Sequence, residues 1–264
     1  MAVLPDFRDI SAVITGASSG IGKLLAQRLA AEGARVVLTA RREAQLEEVA
    51  TVICDAGGTA LVRACDVGDR DAVFAAARWA EDELGAVDLL INNAGYGHHR
   101  SFAEWDIDDI EDMMRVNYLG TVYWTKALLP KMLERQRGWL VFMASVAGRI
   151  GVPDESAYAA SKFAMVGLAE ALSYEVEDQG VHVLTVCPGA IRTEFFDDEA
   201  LRRMPATAVR LMAEPTDLVG AIVDALKTGK RELTFPRRIA AGYIVRALAP
   251  GLMRMGVKRN TRRP

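Results

Sequence analysis

Ser11-Ala12-Val13-Ile14-Thr15 runs without a break into Gly16-Ala17-Ser18-Ser19-Gly20-Ile21-Gly22, and apolar residues then recur at Leu24, Leu25, Leu29 and Ala30. The first run reads as a short buried strand and the last as a helix. Strand, glycine loop and helix in that order is the opening of a dinucleotide-binding α/β sheet. Glycines let the backbone approach a pyrophosphate, and the helix start offers unpaired N–H groups and a positive dipole end. The spacing is G-x-x-x-G-x-G, not G-x-G-x-x-G. The flanking strand and helix therefore single out Gly16, Ser18, Ser19, Gly20, Ile21 and Gly22 from an ordinary glycine turn.

Further strands are predicted at 35–39, 59–64, 87–91, 181–186 and 232–235, with another run ending at Val141-Phe142-Met143-Ala144. Helices are expected at about 43–55, 69–84, 107–133, 157–177 and 215–226. Polar residues cluster where the strands end, the edge at which open parallel sheets bind ligands. Arg41 and Arg42 follow the second strand, where an acidic residue would hold the ribose 2′-hydroxyl of NAD. Two guanidiniums suit a 2′-phosphate instead, so NADP(H) is expected over NAD(H). Otherwise they simply solvate the next helix. Asp66, with Val67 after it, either hydrogen-bonds adenine or caps a helix. Asn92-Asn93-Ala94-Gly95 can tie strands together and contact a cofactor ribose, and Cys187-Pro188-Gly189 reaches the same edge.

Tyr158 and Lys162 stand four apart, on one face of a predicted helix. A free phenol has a pKa of about 10, and a neighbouring ammonium favours its ionised form. Ser145 ends the Val141 run at the ligand edge. The trio suggests a hydroxyl that holds a substrate oxygen and a tyrosine that exchanges a proton with it. Tyr-x-x-x-Lys alone is a common surface pair; its neighbours raise its standing. Asn117 is a poor helix former in mid-helix, either exposed or turned inward toward a bound water.

No linker divides the 264 residues, and 51% hydrophobic content can fill one large core. A single domain over 1–236 and a basic tail over 237–264 are expected. Net charge −3 argues against nucleic-acid binding. Cys54, Cys65 and Cys187 have no metal or disulfide spacing, and the first residues show no secretory signal, so a cytoplasmic protein is expected. His98 and His99 read as surface loop histidines, with substrate contact as the lesser alternative. The 107–133 and 157–177 helices are apolar over broad faces, as in a homodimer or homotetramer contact. Residues 192–214 read as an irregular, apolar lid. The tail reads as packed on a partner or solvated, ahead of peripheral membrane contact.

These pieces together resemble the short-chain dehydrogenase/reductase family, from about Ser11 to Phe235: Thr15 to Gly22, Asp66, Asn92 to Gly95, Asn117, Ser145, Tyr158-Ala159-Ala160-Ser161-Lys162, and Pro188-Gly189 with Thr193. The resemblance implies a Rossmann-type doubly wound α/β fold, about seven parallel strands in order 3-2-1-4-5-6-7 flanked by helices. It implies that Tyr158 is the acid/base, Ser145 orients the substrate oxygen, Lys162 binds the nicotinamide ribose and lowers the tyrosine pKa, Asn117 anchors a relay water, and Thr193 holds the carboxamide. Arg41 resembles its counterpart in NADP-preferring members. The expected function is hydride transfer between NADP(H) and a hydrophobic carbonyl or secondary alcohol. The alternative is a non-catalytic NADP-binding sensor or membrane-recruited partner. Ser145 lies in Met-Ala-Ser-Val-Ala, not in a G-x-S-x-G hydrolase elbow.

Overall fold

Apolar runs too short for helices, each followed by an amphipathic segment, can bury both faces only in a parallel sheet with helices on either side. A computed structural model, which describes residue 4 and residues 6–196, 198–204 and 206–260, has that architecture. The strands are β1 (Ser11–Thr15), β2 (Arg35–Ala40), β3 (Thr59–Ala64), β4 (Leu89–Asn92), β5 (Gly138–Met143), β6 (Val181–Pro188) and β7 (Glu232–Phe235). They form one parallel sheet in the order β3-β2-β1-β4-β5-β6-β7, as expected. The order reverses between β1 and β4. Loops leaving those neighbours diverge there and open a crevice.

Helices α1 (Gly20–Ala31), α2 (Glu43–Asp55) and α3 (Arg70–Leu84) return the chain between the early strands. Leu25, Leu29, Leu46 and Ile53 of α1 and α2 share one core with Ile222 and Leu226 of a later helix, Pro215–Lys227. Val73 and Ala77 of α3 join Trp124, Leu128, Met165 and Ala169 in a second core on the other face. Asp69 caps α3, its Oδ1 accepting from the N–H groups of Asp71 and Ala72 at 3.0 Å each. Asp66 is therefore not that cap; its Oδ1 accepts from Gly68 N at 2.8 Å.

The helix predicted at 107–133 is interrupted. It comprises α4 (Ile107–Met114), a π-helical turn at Arg115–Leu119 and α5 (Gly120–Glu134). The extra residue in that turn rotates Asn117 into the interior, where it is fully buried. Helix α6 (Ser156–Val176) runs beside it as a single rod.

The segment 192–214 is less irregular than expected, with short helices α7 (Asp198–Arg203) and α8 (Ala206–Arg210). Its ends are joined: Ile191 bridges to Ala213, and Arg192 Nε pairs with Glu214 Oε1 at 3.0 Å. Helix α9 (Pro215–Lys227) leads to β7, and two further helices follow, α10 (Ala240–Leu248) and α11 (Pro250–Asn260). Helix α10 docks through Arg246, which covers the Phe163 ring, and through Tyr243, whose hydroxyl accepts from Thr234 Oγ1 at 3.4 Å. No helix among the described residues is long and apolar enough to cross a membrane.

Candidate active site

The carboxyl ends of β1, β4, β5 and β6 open into one cavity of about 730 Å³. At its β1 end the glycine loop is shaped by close approach. Gly16 has φ +66°, and a Cβ on Gly22 would lie 2.3 Å from the Gly16 carbonyl oxygen. Asn93 locks this turn to β4: its Nδ2 donates to Thr15 O at 2.9 Å, while Thr15 Oγ1 accepts from the N–H groups of Asn93 and Ala94, both at 2.9 Å. Asn92 points away, donating from Nδ2 to Thr125 Oγ1 at 3.2 Å. The strand-tying role read for the two amides is thus carried by Asn93.

Ser19, at the N-cap of α1, makes no capping hydrogen bond. Arg42 Nη2 donates instead to Ser18 Oγ and Ser19 Oγ, each at 2.9 Å. The first-turn N–H groups therefore lack a side-chain partner, and Gly20 and Ile21 beside them line the cavity. An uncapped helix start next to a guanidinium is a fitting cradle for phosphate groups.

Ser145, Tyr158 and Lys162 meet at the β5 end. Ser145 follows β5 and opens a tight turn; its Oγ accepts from Ala147 N at 3.1 Å and donates to Pro188 O at 3.5 Å, and its hydroxyl favours the ionised form of the neighbouring Tyr158 phenol. Lys162 is buried, donating from Nζ to Met143 O at 2.8 Å, and Nζ lies 5.7 Å from the centre of the Tyr158 ring. Burial pushes the Lys162 ammonium down to about 8. Burial also pushes the Tyr158 phenol up; the Ser145 hydroxyl opposes this and the Glu155 charge adds to it. Among the protein's own groups, desolvation thus outweighs the lowering expected from the lysine.

Of the cofactor and catalytic candidates, Gly16, Ser18, Ser19, Gly20, Ile21, Arg41, Arg42, Asp66, Val67, Asn93, Ala94, Gly95, Ser145, Tyr158, Lys162, Pro188, Gly189 and Thr193 all line this cavity. Gly22 and Asn117 lie behind its wall. Gly22 permits the close turn, and Asn117 Nδ2 donates to Tyr96 O at 2.8 Å and to Ser161 Oγ at 3.1 Å. Phe195, Phe196 and Met204 of the 192–214 segment also line the cavity.

His99 corrects the surface-loop expectation. It is 9% exposed, with Nε2 2.7 Å from Glu155 Oε1, and both residues line the cavity. Two adjacent histidines carry no local signal of burial, and the partner lies far along the chain. Glu155 was discoverable, because it stands three residues before Tyr158 at helical spacing.

The short chain dehydrogenase family matches residues 11–203. A ketoacyl reductase, HetN, from Nostoc sp. is 33% identical over 221 residues, covering 84% of this chain and 76% of its own. A short chain dehydrogenase/reductase from Burkholderia phymatum, solved in complex with NAD, superposes with TM-score 0.84 at 27% identity over 98% of each chain. A metagenomic short-chain oxidoreductase in complex with NADP gives TM-score 0.73 at 32% identity, covering 86% of this chain and 97% of that one. Sheet order, glycine turn, cavity and these likenesses agree: the chain belongs to the short-chain dehydrogenase/reductase family, oxidoreductases that use a nicotinamide cofactor on carbonyl or CH–OH groups.

Proposed function

We propose that the protein transfers hydride between NADP(H) and a hydrophobic carbonyl or secondary alcohol, with Tyr158 as the acid/base. The observation that carries this reading is the layout of one cavity: Arg41 and Arg42 border the uncapped start of α1 at one end, and Ser145, Tyr158 and Lys162 converge at the other. When bound, the nicotinamide supplies or accepts the hydride.

The chain's own residues do the rest. Gly16 to Gly22 bind the pyrophosphate through backbone N–H groups, and Arg42, held over Ser18 and Ser19 with Arg41 beside it, takes the 2′-phosphate. Ser145 and Tyr158 orient the substrate oxygen between their hydroxyls, which is positioning and polarisation together. In reduction Tyr158 gives its proton to that oxygen. Its raised pKa keeps the phenol protonated at neutral pH, and Lys162 sits close enough to stabilise the phenolate that proton loss creates. Asp66, Val67, Asn93, Ala94, Gly95, Pro188, Gly189 and Thr193 complete the walls, and Asn117 supports the relay from behind them. Phe195, Phe196 and Met204 exclude water above the reacting carbon.

Fluorescence titration with NADPH and NADH, followed by turnover of medium-chain ketones, tests the proposal. Selective NADPH binding with ketone-dependent oxidation is expected. Selective binding without turnover of any ketone or secondary alcohol would favour a sensor instead.

A further inference from the structure

Two polar stations lie in the substrate half of the cavity, and each sits beneath a different ring of the lid. Phe195 lies 5.6 Å from the Tyr158 ring, centre to centre, and Phe196 lies 5.8 Å from the His99 ring; the two phenylalanines touch edge to face at 5.1 Å. The first station is Ser145 with Tyr158. The second is His99 with Glu155; the Glu155 charge acts on Tyr158 from a distance, but neither residue is assigned a contact with the reacting carbonyl.

The second station is built rather than incidental. Glu155 is the N-cap residue of α6, yet its side chain makes no capping hydrogen bond and is directed to His99. Neither ring nitrogen of His99 has an aligned hydrogen bond among the described residues, although the ring is nine-tenths buried. Leaving polar atoms buried and poorly satisfied costs free energy, so such a pair persists where a ligand completes it. Glu155 is the more open of the two, with 17% of its side chain exposed against 8% for His99, and both line the cavity. The Glu155 carboxylate can only accept.

We infer that His99 and Glu155 form an anchoring site for a hydrogen-bond donor, a hydroxyl or an amine, on the same substrate whose carbonyl meets Tyr158. Glu155 precedes Tyr158 by one helical turn, so the donor stands roughly two to four carbons from the carbonyl. His99 is the positioning residue that holds the carboxylate, and Phe195 with Phe196 covers the apolar stem between the stations. The inference rests on the proposed carbonyl chemistry and deepens it to a bifunctional, largely apolar substrate class.

The test compares a medium-chain ketone with its hydroxyl-bearing and amine-bearing counterparts, and the matching mono-alcohol with the diol and amino alcohol by calorimetric titration of the NADP-loaded enzyme. We expect at least one donor-bearing compound to gain about tenfold or more in kcat/KM and in affinity. Glu155→Gln should cut that preference to within about threefold, read as the ratio of donor-bearing to plain ketone within the same variant because the Glu155 charge also acts on Tyr158. His99→Asn provides a second variant with the same expectation, and thermal melting with NADPH titration checks that each is folded. Equal use of plain and donor-bearing ligands by the native enzyme, or a preference that survives in both folded variants, would overturn the anchor. Selective binding without any turnover would instead sink the hydride-transfer reading and leave the anchor standing. An amine preference above the hydroxyl one identifies charge as the recognised property; equal preference identifies the donor alone.

Discussion

Asn117 and Tyr96 exchange two hydrogen bonds, side-chain amide against backbone: Oδ1 accepts from Tyr96 N at 2.9 Å and Nδ2 donates to Tyr96 O at 2.8 Å. The amide replaces the strand neighbour that the chain loses just after β4, and only the π-turn brings it there. Asn117→Ala should lower unfolding free energy by roughly 2–4 kcal/mol, combining two unsatisfied backbone groups with a small cavity. Chemical denaturation would show it as a shifted midpoint at unchanged slope. A shift below about 0.5 kcal/mol would mean that water takes over both bonds.

Removing the Tyr158 hydroxyl takes away the proposed proton donor but leaves the ring beside Phe195. Tyr158→Phe is expected to reduce kcat by roughly 10²–10⁴-fold and to keep NADPH affinity within about threefold. Stopped-flow turnover beside fluorescence titration separates the two quantities. Near-native turnover would remove Tyr158 from the chemistry.

Lys162 ties stability to pH. Its pKa falls from 10.5 in the open chain to about 8 in the fold, so below 8 both states carry the proton and the full cost of the buried charge is present. Between about 8 and 10.5 the unfolded chain binds a proton that the folded chain releases, and the native protein gains stability as pH rises. Lys162→Met should therefore be more stable than the native protein at neutral pH, by about 1–3 kcal/mol after the lost bond to Met143 O. That advantage shrinks through the window and is gone above it. The raised pKa of Tyr158 acts oppositely at higher pH, so the comparison is read below the phenol's unfolded value of 10, where Tyr158 is protonated in both proteins. Denaturation of the pair from pH 7 to just below 10 gives the comparison.

Arg42 is held by two serine hydroxyls, so its guanidinium is placed before any cofactor arrives. Arg42→Ala with Arg41→Ala should weaken NADPH by roughly 10–100-fold and NADH by less than about threefold, the range for lost charge-assisted bonds. Equal losses for both cofactors would make the arginines structural.

Gly22→Ala places a methyl group where the Gly16 carbonyl already stands. Overpacking against backbone costs roughly 1–3 kcal/mol and should also open the phosphate loop. The melting temperature and NADPH affinity should fall together. A drop in the first alone would show that the turn is not the binding element.

The sheet was legible because most strands are short apolar runs, four of them closed by glycine, asparagine or proline and the others by charged or small polar residues such as Arg41, Asp66 and Ser145, and these closures collect at the edge that binds ligands in open parallel sheets. Tyr158, Lys162 and the glycine loop were legible for a related reason: each pattern lies within a few residues of sequence. What escaped depends on distance. His99 is buried by Glu155 from another element, and no local pattern announces it. The π-turn adds one residue to a helix without changing its composition. Asp66 and Asp69 are chemically alike, and only backbone geometry decides that Asp69 is the cap.

The joined ends of the lid change what evolution or an engineer can do with this protein. Because Ile191 meets Ala213 and Arg192 meets Glu214, everything between leaves and re-enters the sheet edge at one point. Lengthening such a closed excursion adds only about 0.6 kcal/mol per doubling. The stretch between these anchors therefore behaves as an exchangeable cassette: a differently shaped insert on the same two anchors would redraw the range of accepted molecules while β6, α9 and the residues proposed for proton transfer stay in register.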